Sequence, residues 1–202
     1  MRARIPWAVT VAVFFILVHN GLCWAASSVD VVRQMLDEVI FIQTNPNLQG
    51  QGSRETRKVE IEKVIVRNFD FAHMAREALG PEWPKLSSPK KAEFSTCFQD
   101  LFLDSYSRLV LDFLKKEKII YEQEDEQEEN ARVRTSIYRI NERIPVDYSL
   151  TKADGTWLVS DVIIDGVSVV DNYRKSFSRV IQQESLDGLL RKMRLQQKAI
   201  QK

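Results

Sequence analysis

The chain of 202 residues holds only two cysteines and two histidines. That scarcity excludes a disulfide framework, a Cys/His zinc site and a His-rich metal centre. Glycine is also sparse, at seven residues, and no Gly-rich run stands between a strand pattern and a helix pattern, so a phosphate-cradling loop is excluded. Charge of one sign is not in excess. The 29 basic and 28 acidic side chains give a formal net charge of +1, unlike a strongly basic nucleic-acid binder. What remains is the composition of an ordinary globular chain, 44% hydrophobic and 28% charged, long enough to bury a core.

One apolar run stands apart. Arg2 and Arg4 precede Trp7–Val18, which carries no charge and a single polar residue, Thr10, before a more polar stretch ending in Cys23-Trp24-Ala25. Twelve positions are too few to span a bilayer, which needs about 20. The order of positive, apolar and small residues is that of a secretory signal peptide, with cleavage expected near Ala25. Leu22 stands where a lipoprotein signal needs a small residue before Cys23, so the expectation is a soluble exported protein. Removing the first 25 of 202 residues leaves 177, with 27 basic against 28 acidic side chains and Cys97 as the lone thiol. The domain expectation is a signal peptide at 1–25 and one domain at 26–202.

The domain divides by period. Val32, Met35, Leu36, Val39 and Ile42 recur at helical spacing after Asp30, a candidate N-cap. Further helices are expected over 54–67, after Asp70, and from Ser88-Pro89 to about Lys116, so the helical part covers about 30–116. Four alternating strands follow over about 118–164, with Ala153-Asp154-Gly155 as a hairpin turn. Six acidic residues between Glu122 and Glu129 read as a solvated turn. Helices resume over about 168–201, the first capped at Ser168. The fold class is α+β, an antiparallel four-stranded sheet packed with N- and C-terminal helices.

No catalytic constellation emerges. Cys97 lies mid-helix among Phe94, Phe98 and Leu101, and His73 sits on a short helix. Gly166-Val167-Ser168 lacks both the second glycine and a downstream histidine that a hydrolase elbow requires. The acidic turn lacks the glycine and spacing of a calcium loop. What is in surplus is apolar: the long helix carries eleven large hydrophobic residues between Phe94 and Leu114, more than one buried face requires. Such a helix is either packed on all sides or lines an apolar cavity against the sheet. Ile144, Val146, Tyr148 and Leu150 offer a matching sheet face by the period of two.

The ordered set Pro145-Val146-Asp147-Tyr148, Trp157, Asp161-Val162, Gly166-Val167-Ser168 and Asn172-Tyr173-Arg174 resembles the MlaC family, also called the toluene-tolerance family. Upstream, Phe69-Asp70-Phe71, Met74-Ala75, Leu79-Gly80 and Trp83 match its other signature, and the similarity covers about residues 30–195. The resemblance implies a cone-shaped α+β roll enclosing a pocket for the tails of a phospholipid ligand. It also implies a soluble periplasmic carrier that shuttles lipid between an outer-membrane lipoprotein–porin complex and the inner-membrane MCE-domain ring of an ABC transporter, with only transient membrane contact. No catalytic residue, cofactor, metal or nucleic acid is implied. By period and position, Phe98, Phe102, Tyr106, Val110, Val146, Tyr148, Val159 and Val167 are expected to line the pocket. Trp157 is expected to pack beneath the sheet, and Asp161 to pair with Arg174. Two other readings stay open at this point: a carrier of a sterol-like or aromatic hydrocarbon, or an isomerase-like enzyme on the same roll using a carboxylate and a tyrosine.

Overall fold

The structure is a computed structural model that describes residues 26–50 and 52–200; the segment expected to be a signal peptide, 1–25, lies outside the described residues. Among the described residues four α-helices come first: α1 (Ser28–Thr44), α2 (Ser53–Asn68), α3 (Phe71–Leu79) and α4 (Ser88–Phe113). A meander follows, formed by β1 (Lys118–Glu126), β2 (Asn130–Arg139), β3 (Glu142–Ala153), β4 (Thr156–Ile164) and β5 (Val167–Ser168). The chain closes with α5 (Val169–Glu184) and α6 (Leu186–Ile200). All strand pairs are antiparallel and lie in sequence order.

The sheet has five strands where the sequence predicts four. Asp165 and Gly166 both adopt positive φ, and this tight turn folds Val167 and Ser168 back onto Ile164 and Ile163. A two-residue strand is too short to show a period. Asp154-Gly155 makes the expected hairpin turn, again at positive φ. Register shifts at Glu122 of β1 and at Ser160 of β4 mark bulges, which bend and coil a sheet.

Several local expectations are corrected. Helix α1 is capped by Ser27, whose hydroxyl accepts from the Asp30 amide, and Asp30 lies in the first turn. The acidic stretch is not a free turn, because β1 runs to Glu126. Glu124 accepts from the Ser28 hydroxyl at 2.7 Å and the Val29 amide at 2.9 Å, and Glu126 accepts from the Ser28 amide at 3.0 Å. Two carboxylates thus hold the positive N-terminus of α1 against the sheet. Helix α4 stops at Phe113, three residues early, because Leu114 leaves helical geometry and turns inward. Asp161 does not meet Arg174. It accepts from the Ser168 hydroxyl at 2.5 Å and the Val170 amide at 3.0 Å, which fixes the β5–α5 corner. Arg174 instead donates to the Glu77 carbonyl and pairs with the Glu77 carboxylate at 3.6 Å, joining α5 to α3. Trp157 is buried as expected, with the Lys152 ammonium 4.7 Å from its ring centre.

The basic C-terminal helix is tied back by ion pairs from Lys192 to Glu184 and from Arg194 to Glu93. Its inner face, Leu189, Leu190 and Met193, is buried, and α6 packs on α4 and α5. Along α4 the rings of Phe94, Phe98, Phe102 and Tyr106 follow one another every fourth residue, with centroids 6.3, 6.3 and 4.5 Å apart. Phe177 of α5 lies against Phe94 and Phe98, and Tyr173 against Phe98 with its ring reaching Tyr106, so the first half of the column is solid core. The second half faces the sheet across a gap.

Candidate functional site: an apolar cavity between α4 and the sheet

The gap is a cavity of about 290 Å³. Its sheet wall is the inward face of three neighbouring strands: Ile137 of β2, Ile144, Val146 and Tyr148 of β3, and Val162 and Ile164 of β4. The register explains the grouping, since Ile137 pairs with Ile144, Val146 with Ile164 and Tyr148 with Val162. The helical wall is the second half of α4, from Phe102 and Tyr106 to Phe113, with Leu114 just beyond its end. Met35, Leu36 and Val39 of α1, with Ile65 and Phe69 at the end of α2, complete the enclosure. Among the described residues every lining side chain is hydrophobic, and the only polar groups these side chains carry are the hydroxyls of Tyr106 and Tyr148. Burial pushes both phenols above the ordinary tyrosine value, so both are neutral across the physiological range.

Two hydrogen-bond devices hold the walls. Gln43, at the end of α1, donates from its amide nitrogen to the carbonyls of Val110, Leu111 and Leu114 at 2.9–3.2 Å. Val110 and Leu111 lie in the last turn of α4 and Leu114 just beyond it; the Val110 carbonyl also accepts from the Leu114 amide, and Gln43 ties this helix end to α1. On the sheet side, the Thr135 hydroxyl donates to the Val146 carbonyl at 2.7 Å. The mouth is at the C-terminal end of α4: Leu109 and Phe113 are 36% and 48% exposed, whereas Val146 and Tyr148 are buried.

Five of the eight residues nominated from sequence line this cavity: Phe102, Tyr106, Val110, Val146 and Tyr148. The structure places the other three elsewhere. Phe98 lies one turn too early on α4 and is fully buried against Phe94, Tyr173 and Phe177. Val159 faces inward but meets the α2–α3 junction, where its carbonyl accepts from the Asp70 amide and its strand touches Phe69, so the packing there is solid. Val167 is 61% exposed on the outer β5 strand. Sequence reasoning did not nominate the three α1 residues, Ile65, Phe69, Leu109, Phe113, Leu114, or the strand positions Ile137, Ile144, Val162 and Ile164. Their apolar periodicity was visible, but a single period cannot tell a face packed on a core from one bordering a void.

Groups that a catalytic reading would need are dispersed. Asp147 and Tyr148 point to opposite sheet faces: the carboxylate pairs with Arg132 at 2.7 Å, and the phenol borders the cavity. Burial raises the Cys97 thiol, which lies 3.5 Å from the Gln197 side-chain oxygen. A second groove, about 530 Å³, runs between α3 and α5, but Glu82, Arg174, Lys175 and Arg179 line it. It is larger, but desolvating those charges against an apolar ligand would be costly.

Comparison with known proteins agrees with this architecture. The MlaC protein family model matches residues 33–195. The intermembrane phospholipid transport system binding protein MlaC of Haemophilus influenzae is 23% identical over 180 residues, covering 84% of this chain and 82% of that protein. A solved phospholipid-binding protein from Ralstonia solanacearum, in complex with a phospholipid, superposes with a TM-score of 0.75 at 20% identity, covering 88% of this chain and all of the other. With the family match spanning most of its length and the same fold beneath it, the chain belongs to the MlaC family.

Proposed function

We propose that this protein is a periplasmic phospholipid carrier whose cavity between α4 and the sheet holds acyl chain. The observation that carries the reading is a cavity lined by hydrophobic residues throughout, in a chain of this family. Each methylene removed from water is worth about 0.8 kcal/mol, so a 16-carbon chain is worth roughly 12 kcal/mol and two chains about 24. A lipid therefore crosses an aqueous space only inside a container that hides its tails about as well as a membrane does. Apolar walls with two neutral phenols meet that need and leave the head group to solvent at the mouth.

At about 290 Å³ the cavity is at the small end of ligand pockets, so a two-tailed lipid enters by parting α4 from the sheet. The carrier assigns no side chain a catalytic role. Any energy input belongs to its partners, for which the family resemblance supplies candidates: an outer-membrane lipoprotein–porin complex as one and the MCE-domain ring of an inner-membrane ABC transporter as the other. Export rests on the sequence pattern at 1–25, with one domain at 26–202.

Native mass spectrometry of protein secreted to the periplasm and purified without detergent tests the reading. The polypeptide is expected to begin at Ala26, not at a lipid-bearing Cys23, and to carry one diacyl phospholipid that departs on denaturation. An empty protein, or one loaded with another lipophile after growth among phospholipid membranes, contradicts it.

A further inference from the structure

The hairpin joining β2 to β3 turns on Ile140 and Asn141. Ile140 adopts φ 46° and is 97% exposed. A β-branched residue in the left-handed region is a backbone outlier, and hairpin turns of this kind normally use Asn, Asp or Gly there. A large aliphatic group fully in water is the second unfavourable choice at the same position. Neither conformation nor folding stability accounts for isoleucine.

The neighbours give the position meaning. Arg139 lays its guanidinium 5.1 Å from the ring centre of Phe113, and Phe113 borders the cavity mouth. Tyr138 beside it is partly exposed. The hairpin and the adjacent α4–β1 connection, residues 114–118 and 138–143, carry five basic side chains (Lys115, Lys116, Lys118, Arg139 and Arg143) against Glu117 and Glu142. Lys118 pairs in register with Tyr138, so the two segments lie side by side. Arg143 is also paired with Glu122, whereas Arg139 has no ion pair among the described residues.

Resting on the carrier reading above, we propose that this hairpin docks the cavity mouth on a phospholipid bilayer. Ile140 enters the boundary between head groups and acyl chains, Arg139 and the lysines reach head-group phosphates, and Phe113 lies between bilayer and cavity. An apolar tip surrounded by long cationic side chains is the pattern of interfacial binding to anionic membranes. A lone protruding side chain offers little of the roughly 800 Å² per partner that a stable protein interface needs. A bilayer asks only for insertion and opposite charge.

The test is flotation with vesicles of phosphatidylethanolamine and phosphatidylglycerol at 3:1, comparing the wild-type protein with Ile140→Asn and Arg139→Gln. Asparagine suits the left-handed turn, so Ile140→Asn is expected to melt no lower than wild type and to retain co-purified lipid on native mass spectrometry. Its partition onto vesicles should fall about tenfold, the equivalent of burying one isoleucine. Arg139→Gln should fall about fivefold on these vesicles and little on pure phosphatidylcholine. Equal partition of wild type and Ile140→Asn, or no vesicle binding by either, overturns the docking proposal whatever lipid is carried. Loss of partition by Ile140→Asn supports it, and an empty wild-type protein in the same preparation would count against the carrier reading alone.

Discussion

Val146→Arg is expected to give a folded protein that carries at least a hundredfold less phospholipid than wild type. Val146 is 6% exposed, sits in the middle of β3 between Thr135 and Ile164, and presents its side chain to the cavity. In the empty protein the new side chain has free volume to enter, and its stem can follow Ile144 towards the mouth so that the guanidinium reaches water. In the loaded protein the same group meets acyl chain. Placing a charge against hydrocarbon costs several kcal/mol, and each 1.4 kcal/mol is tenfold in affinity. Cooperative urea unfolding and native mass spectrometry check the two halves of the expectation. Loss of cooperative unfolding would mean that Val146 borders solid core. Val167→Arg is the control: exposed on β5 and absent from the lining, it should change neither stability nor load.

Phe98→Ala should do the opposite. Phe98 is fully buried, with ring centroids 5.2 Å from Tyr173, 6.3 Å from Phe94 and Phe102, and 6.4 Å from Phe177. Truncating a ring in such a setting costs about 3–5 kcal/mol through lost burial and the void left behind. The cost appears as a lowered urea midpoint with an unchanged slope. The ring does not touch the cavity, so the molecules that remain folded should carry lipid as wild type does. A variant of unchanged stability but without lipid would move Phe98 back to the cavity wall.

Phe98 and Phe102 illustrate what the sequence could and could not disclose. They are one helical turn apart in the same apolar column, and the 3.6-residue period places both on one face of α4. Depth along that face depends on where the sheet curves away, which is a property of another part of the chain. Hence both alternatives for α4 hold, each for half of the helix: core from Phe94 to Phe98, cavity wall from Phe102 to Phe113.

The face of β3 was legible because strict alternation survives there, and Ile144, Val146, Tyr148 and Leu150 all point inward. On β4 a bulge at Ser160 lets Val159 and Val162 share a face, which simple alternation forbids, and position along the strand then separates core from cavity. The acidic stretch misled for a different reason. Glu124 and Glu126 satisfy the amides of a helix nearly 100 residues earlier, and no local pattern encodes that pairing.

The central claim is that acyl chain occupies the space between α4 and the β2–β4 wall. Its most direct test is a phospholipid with a photoactivatable group near the end of one acyl chain, loaded into the wild-type protein, irradiated and mapped by peptide mass spectrometry. The account predicts label on the segments around Phe102–Leu114 and Ile144–Tyr148. Label on the polar groove around Arg174 and Arg179, or on the solid-core positions Phe98 and Val159, would contradict it.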